Sequence, residues 1–109
     1  MADKRFLYIL KEDETEFYRI GITHNITYRL GMLKGGNHRK LHLSYLIEFN
    51  NPSECLAAEN TLHEMLKEFT TDPKLRSWYD LKGNRYQLTK HIVETFVKDG
   101  VMNITENKI

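Results

Sequence analysis

Residues 6–22 read Phe6-Leu7-Tyr8-Ile9-Leu10, then Lys11-Glu12-Asp13-Glu14-Thr15-Glu16, then Phe17-Tyr18-Arg19-Ile20-Gly21-Ile22. Two short runs of aromatic and β-branched residues flank a wholly polar segment, the pattern of two strands joined by a turn, and a β-hairpin is predicted. Gly21 is read as closing the second strand. Thr23-His24-Asn25 then offers an N-cap for a helix with Ile26, Leu30 and Leu33 at helical spacing, which should end at Gly35-Gly36. Leu41-His42-Leu43-Ser44-Tyr45-Leu46-Ile47-Glu48-Phe49 is rich in strand formers and alternates at its start, so it should complete a three-stranded sheet.

Downstream, Asn51-Pro52-Ser53-Glu54 begins a helix, with Asn51 as N-cap, Pro52 at the first helical position and Glu54 at the third. The segment runs to about Phe69, and Leu56, Leu62, Leu66 and Phe69 make much of it apolar. Pro73 breaks the chain, Ser77-Trp78-Tyr79-Asp80-Leu81 reads as a short extended segment, and Lys82-Gly83-Asn84 is turn chemistry. A last helix is expected from Leu88 or Thr89 to Lys98, burying Leu88, Ile92, Val93, Phe96 and Val97 on one face. The polar tail after Gly100 should fray. These elements predict an α+β fold, a small three-stranded antiparallel sheet flanked by helices, in one domain over residues 1–100 with a short C-terminal tail at 101–109.

Composition narrows the function classes. Hydrophobic residues at 40% and charged residues at 28% are ordinary for a globular chain and argue against disorder. A formal charge of +1 is far from that of a protein that coats nucleic acid, so any phosphate affinity must be local. Basic residues cluster from Tyr28 to Lys40, where Arg29, Lys34, Arg39 and Lys40 stand with His38 and no acidic residue intervenes; a solvated surface is the competing reading. Cys55 is the one cysteine, which rules out an internal disulfide and a cysteine-based zinc site within the chain. The apolar run before Lys11 is too short for a signal-peptide core or a membrane span, and an intracellular, cytoplasmic location is expected.

Strand alternation can place the Tyr8 hydroxyl and the Arg19 guanidinium on one sheet face. Arg29 follows on the next helix, and a guanidinium is well matched to a phosphate's oxygens. Glu59 lies mid-way along the capped helix, with His63 one turn on. Each also has a structural reading: Tyr8 as a strand aromatic, Arg29 as a solvated helix residue, Glu59 as a helix charge paired with His63. Cys55 reads as a packed thiol, and Trp78 with Tyr79 either stacks on a base or caps the core.

At these residues the chain resembles the GIY-YIG nuclease superfamily. Phe6-Leu7-Tyr8 and Arg19-Ile20-Gly21 stand at the two strand triplets, Arg29 at the helix arginine and Glu59 at the later glutamate. The resemblance spans Phe6 to about Leu81 and is closest to small phage and viral members. Their second motif reads Tyr-Lys-Ile-Gly, here Tyr18-Arg19-Ile20-Gly21; their glutamate helix reads Ala-Glu-x-x-Leu-His, here Ala58-Glu59-Asn60-Thr61-Leu62-His63. Phe6 replaces the first glycine, Arg19 the second tyrosine, and Ser77 a carboxylate that relatives place before the tryptophan.

The resemblance implies metal-assisted hydrolysis of DNA phosphodiester bonds. Glu59 would hold one divalent cation, Mg²⁺ or Mn²⁺; Tyr8 would orient the attacking water; Arg29 would clamp the phosphate, and Arg19 would grip it without serving as a base. Lys34, Arg39, Lys40, His63 and Asn84 complete the expected nucleic-acid contacts, although Asn84 also fits a simple turn and His63 a surface partner of Glu59. The competing functions are a binding module that has lost cutting and a module that contacts a host protein, in the host cytoplasm if the chain is phage-encoded.

Overall fold

The computed structural model describes residues 5–35, 40–49, 51–71, 78–95 and 101–106. Strands β1 (Arg5–Glu12) and β2 (Phe17–Thr23) form the hairpin, followed by helix α1 (Ile26–Gly35), strand β3 (Leu41–Phe49) and helix α2 (Pro52–Met65). A 3-10 turn (Lys67–Phe69), strand β4 (Trp78–Asp80), helix α3 (Arg85–Glu94) and strand β5 (Val101–Glu106) complete the order. All pairings are antiparallel, in the order β4-β2-β1-β3-β5.

The three expected strands are the centre of this sheet, and two further strands extend it to five. The short extended segment at Trp78–Asp80 pairs with Phe17–Arg19 of β2. The segment expected to fray pairs instead with β3, Ile47 opposite Ile104, so local polarity misjudged it: an open edge of β3 supplies hydrogen-bond partners that no local pattern reveals. Gly21 does not close β2, which continues to Thr23. Gly36, Phe96, Val97 and Lys98 lie outside the described residues.

Local chemistry accounts for the element starts. Asn25 Oδ1 accepts the Tyr28 N–H at 3.0 Å to cap α1, and Asn51 Oδ1 accepts the Ser53 N–H at 2.8 Å at the head of α2. In the hairpin turn Thr15 donates to the Glu12 carbonyl at 2.9 Å, and Glu14 adopts a left-handed φ of 63°. The last helix begins at Arg85, not Leu88, with the Leu88 N–H bonding the Asn84 carbonyl at 3.0 Å.

The sheet separates two apolar layers. Leu7, Ile9, Tyr18, Ile20, Ile47 and Phe49 meet Cys55, Ala58, Leu62 and Leu66 of α2 and Ile92 and Val93 of α3. On the other face Tyr8, Leu10 and Leu41 meet Ile26, Leu30 and Leu33 of α1, with Trp78. Residues alternate along β1 between the two layers, as strand geometry demands. Leu88, expected on a buried face, is 47% exposed, and Leu56, one of the residues that make α2 apolar, is 48% exposed: α2 and α3 each turn a narrower stripe to the sheet than their leucines suggest.

Candidate functional site

Tyr8 on β1 stands opposite Gly21 on β2. Its ring lies across the glycine so closely that a Cβ at Gly21 would come within 2.7 Å of Tyr8 Cζ and nearer still to the hydroxyl. A glycine inside a strand costs stability, and the close approach of the neighbouring aromatic explains its presence here. Gly21→Ala should therefore displace the Tyr8 ring and cost about 1–3 kcal/mol, the usual range for overpacking. Thermal unfolding checks this, and adding Tyr8→Phe should recover part of the loss because the hydroxyl is the nearest atom; a parent-like Tm for Gly21→Ala would show the contact to be loose.

Arg19 lies two residues before Gly21 on the same face of β2. Its guanidinium carbon is 5.9 Å from the centroid of the Trp78 ring on the neighbouring β4. Its Nε is buried and has no hydrogen-bond partner among the described residues. A buried guanidinium N–H left without an acceptor is costly, which marks this atom, among the described residues, as the buried polar group on this face that lacks a partner. Arg29 is half-buried on α1, the helix that packs on this face.

Glu59 sits on α2, which packs on the opposite sheet face, and the carboxylate occupies the flank of the helix beside buried Ala58 and Leu62. Its Oε2 lies 3.5 Å from Nε2 of His63, their side chains 19% and 26% exposed. Nδ1 of His63 in turn shares a short hydrogen bond with the hydroxyl of Tyr79 on β4, and the two rings stack at 5.6 Å. Burial first, and then the Glu59 charge, push Tyr79 up to about 12. The phenol thus keeps its proton at neutral pH and can donate it to Nδ1 in the tautomer of His63 that carries its own proton on Nε2.

The candidate residues thus form two groups on opposite sheet faces, joined at the edge strand. Trp78 meets Arg19 on one face, and Tyr79, the next residue, meets His63 on the other. Tyr18 precedes Arg19 and likewise faces the α2 layer, where it stacks on Tyr86 at 4.8 Å; burial, then Glu16 and Tyr86, push it up to about 12. Tyr79 as the partner of His63 was not legible in the sequence, because only the β2–β4 register brings it there.

The remaining expected contacts are peripheral. Lys34 lies in the last turn of α1 and is exposed, as is Lys40 before β3; Arg39, His38 and Ser77 lie outside the described residues. Asn84 stands at the cap position of α3 after Gly83, whose φ is +65°, and makes no side-chain cap bond, so the turn reading describes its backbone. Cys55 is fully buried, and burial followed by the Glu59 charge pushes its thiol up to about 12, as suits a packed thiol.

For a divalent ion the donor in question is Glu59. Among the described residues no three His, Cys, Asp or Glu side chains gather into a metal-binding group. A single, partly exposed carboxylate whose ionic partner is an imidazole rather than a Lys or Arg nevertheless fits Mg²⁺ or Mn²⁺, ions that keep several waters and complete their shell from substrate oxygens.

The fold and these residues define a small α+β domain with an antiparallel sheet between helices. A family model described as the T5orf172 domain matches residues 5–99, and the chain belongs to this phage-associated family. Neither a curated protein nor a solved structure matches the chain. No helix among the described residues is long and apolar enough to cross a membrane.

Proposed function

We propose that this domain grips nucleic-acid phosphate and hydrolyses DNA phosphodiester bonds as a GIY-YIG-type endonuclease. The observation that carries the reading is the unpartnered, buried Nε of Arg19, on the sheet face that also carries Tyr8 against Gly21. Arg29, on the helix that covers this face, would clamp the phosphate and offset charge developing in the transition state. Tyr8 is 2% exposed beneath α1, so orienting the attacking water would require substrate binding to uncover its hydroxyl. Glu59 would hold Mg²⁺ or Mn²⁺ on the other side of the sheet, so a bound strand would reach both groups around the β4 edge, where Trp78 and Tyr79 adjoin; the ion when bound supplies charge stabilisation. His63, held by Tyr79, would keep the Glu59 carboxylate in place.

The test is a cleavage assay on single-stranded, duplex and branched DNA with Mg²⁺ or Mn²⁺. Metal-dependent products from the parent support the proposal. In parallel, Arg19→Ala should weaken binding uniformly across sequences and lower the salt slope by about one, as loss of one phosphate contact does. Arg19→Tyr, which restores the superfamily residue, should raise cleavage. Arg19→Ala binding with the parent's affinity and slope would remove Arg19 from the site.

A second reading is a module that holds nucleic acid or a host protein without cutting. One observation favours it: Glu59 is on the helix that packs on the sheet face opposite Tyr8 and Arg19. Binding without cleavage of any DNA form would select it.

A further inference from the structure

Helix α1 buries Ile26, Leu30 and Leu33 against the sheet, yet its solvent face is not the charged surface expected of such a helix. Tyr28 is 67% exposed and Met32 56%. Both fall on that outer face together with Gly31 and Gly35, at the i, i+3, i+4 and i+7 spacing of one helix side. Among the described residues, a Cβ at Gly31 or Gly35 would meet nothing within 4 Å, so no described side chain stands over the helix beside the Tyr28 ring. The ring stands on a fixed base, since the Tyr28 N–H is bonded to the Asn25 cap at 3.0 Å.

The charge around this face points to its occupant. Residues 17–47 contain five of the sixteen Lys and Arg residues and none of the fifteen Asp and Glu residues. On α1 itself, Arg29 adjoins Tyr28 and Lys34 lies in the last turn, with no acidic residue on the helix. An exposed aromatic ring with no described side chain over the helix beside it, set in an acid-free, cationic stretch, is the pairing that single-strand binders use: cations follow the backbone while a base stacks on the ring.

We infer that the outer face of α1 is a binding site for single-stranded nucleic acid, with an unpaired base stacked on Tyr28 against Met32 and the adjoining phosphates held by Arg29 and Lys34. The inference rests on the nucleic-acid reading above and adds to it a preference for unpaired substrate, because bases in an intact duplex offer no free face to the ring. Met32 contributes a polarisable side chain at the edge of the stacked base.

The experiment measures binding of a labelled oligothymidylate, and of the same strand in duplex, to the full chain in EDTA, so that cleavage does not intervene. Tyr28→Ala should lose roughly 5- to 150-fold in affinity for the single strand, the range associated with removing one stacked base, and much less for the duplex. Tyr28→Phe should bind like the parent, since stacking needs the ring and not the hydroxyl. The residue is exposed, so the variants should unfold at the parent's temperature.

Single-strand affinity unchanged in Tyr28→Ala, or an equal loss on duplex and single strand, would overturn the stacking role while leaving phosphate gripping through Arg19 intact. A dimer in sedimentation that Tyr28→Ala dissociates would also overturn it, by giving the face to a second copy. A parent that binds neither form removes the nucleic-acid reading itself, a failure separate from that of Tyr28.

Discussion

Glu59→Ala is expected to reduce metal-dependent DNA cleavage roughly a thousandfold or more, because several kcal/mol of charge stabilisation would leave with the cation. The fold should survive. Glu59 lies on the flank of α2 rather than in its buried stripe of Cys55, Ala58 and Leu62, and alanine is the best helix former. Its pairing with His63 is partly exposed, and losing it should cost at most about 1 kcal/mol. Cleavage is followed at several Mn²⁺ concentrations beside a thermal melt of the same sample. Parent-like activity in a folded Glu59→Ala chain would sink the proposed mechanism; lost activity with an unfolded chain would trace the effect to α2 instead. Binding in EDTA should be nearly unaffected, since phosphate contact is assigned to Arg19 and Arg29 on the other sheet face.

Leu62→Ala is expected to cost about 2–5 kcal/mol, which for a domain of this size lowers Tm by about 4–8 °C per kcal/mol. Leu62 is fully buried in the layer where α2 meets Leu7, Ile9, Ile20 and Tyr79, so truncation removes apolar contact and leaves a cavity between helix and sheet. Total stability of natural domains is about 5–15 kcal/mol, so the loss is a large share of it. Leu56→Ala on the same helix supplies the control: at 48% exposure it should change stability by only about 0.5 kcal/mol. Equal melting of the two variants would mean that the buried stripe of α2 is misassigned.

The contrast between these leucines shows where sequence reading reaches its limit. Four apolar residues were legible in the segment of α2 and its 3-10 extension, making much of it apolar without fixing which of them face the sheet. Only the angle at which the helix meets the sheet decides that Leu62 and Leu66 are buried while Leu56 and Met65 face water. Similarly, Leu88 matched the period of the last helix and is nearly half exposed, whereas Thr89 is fully buried and donates to the Arg85 carbonyl at 2.9 Å. Helical periodicity tells which residues share a side; it does not tell how wide a stripe the neighbour covers.

By itself the sequence determined the hairpin, the three central strands, the cap at Asn51, a cap within Thr23–Asn25, and the order of Tyr8, Arg19, Arg29 and Glu59, because these depend on neighbours within a turn or a strand. Tertiary structure decided what no local pattern encodes. The edge pairings turned a polar tail into β5 and brought Trp78 beside Arg19 and Tyr79 beside His63. The crossing of a helix to each face separated Tyr8 and Arg19 from the face on which α2 carries Glu59. Strand alternation gives each residue one of two faces, but which face a later helix covers depends on contacts between residues far apart in the chain.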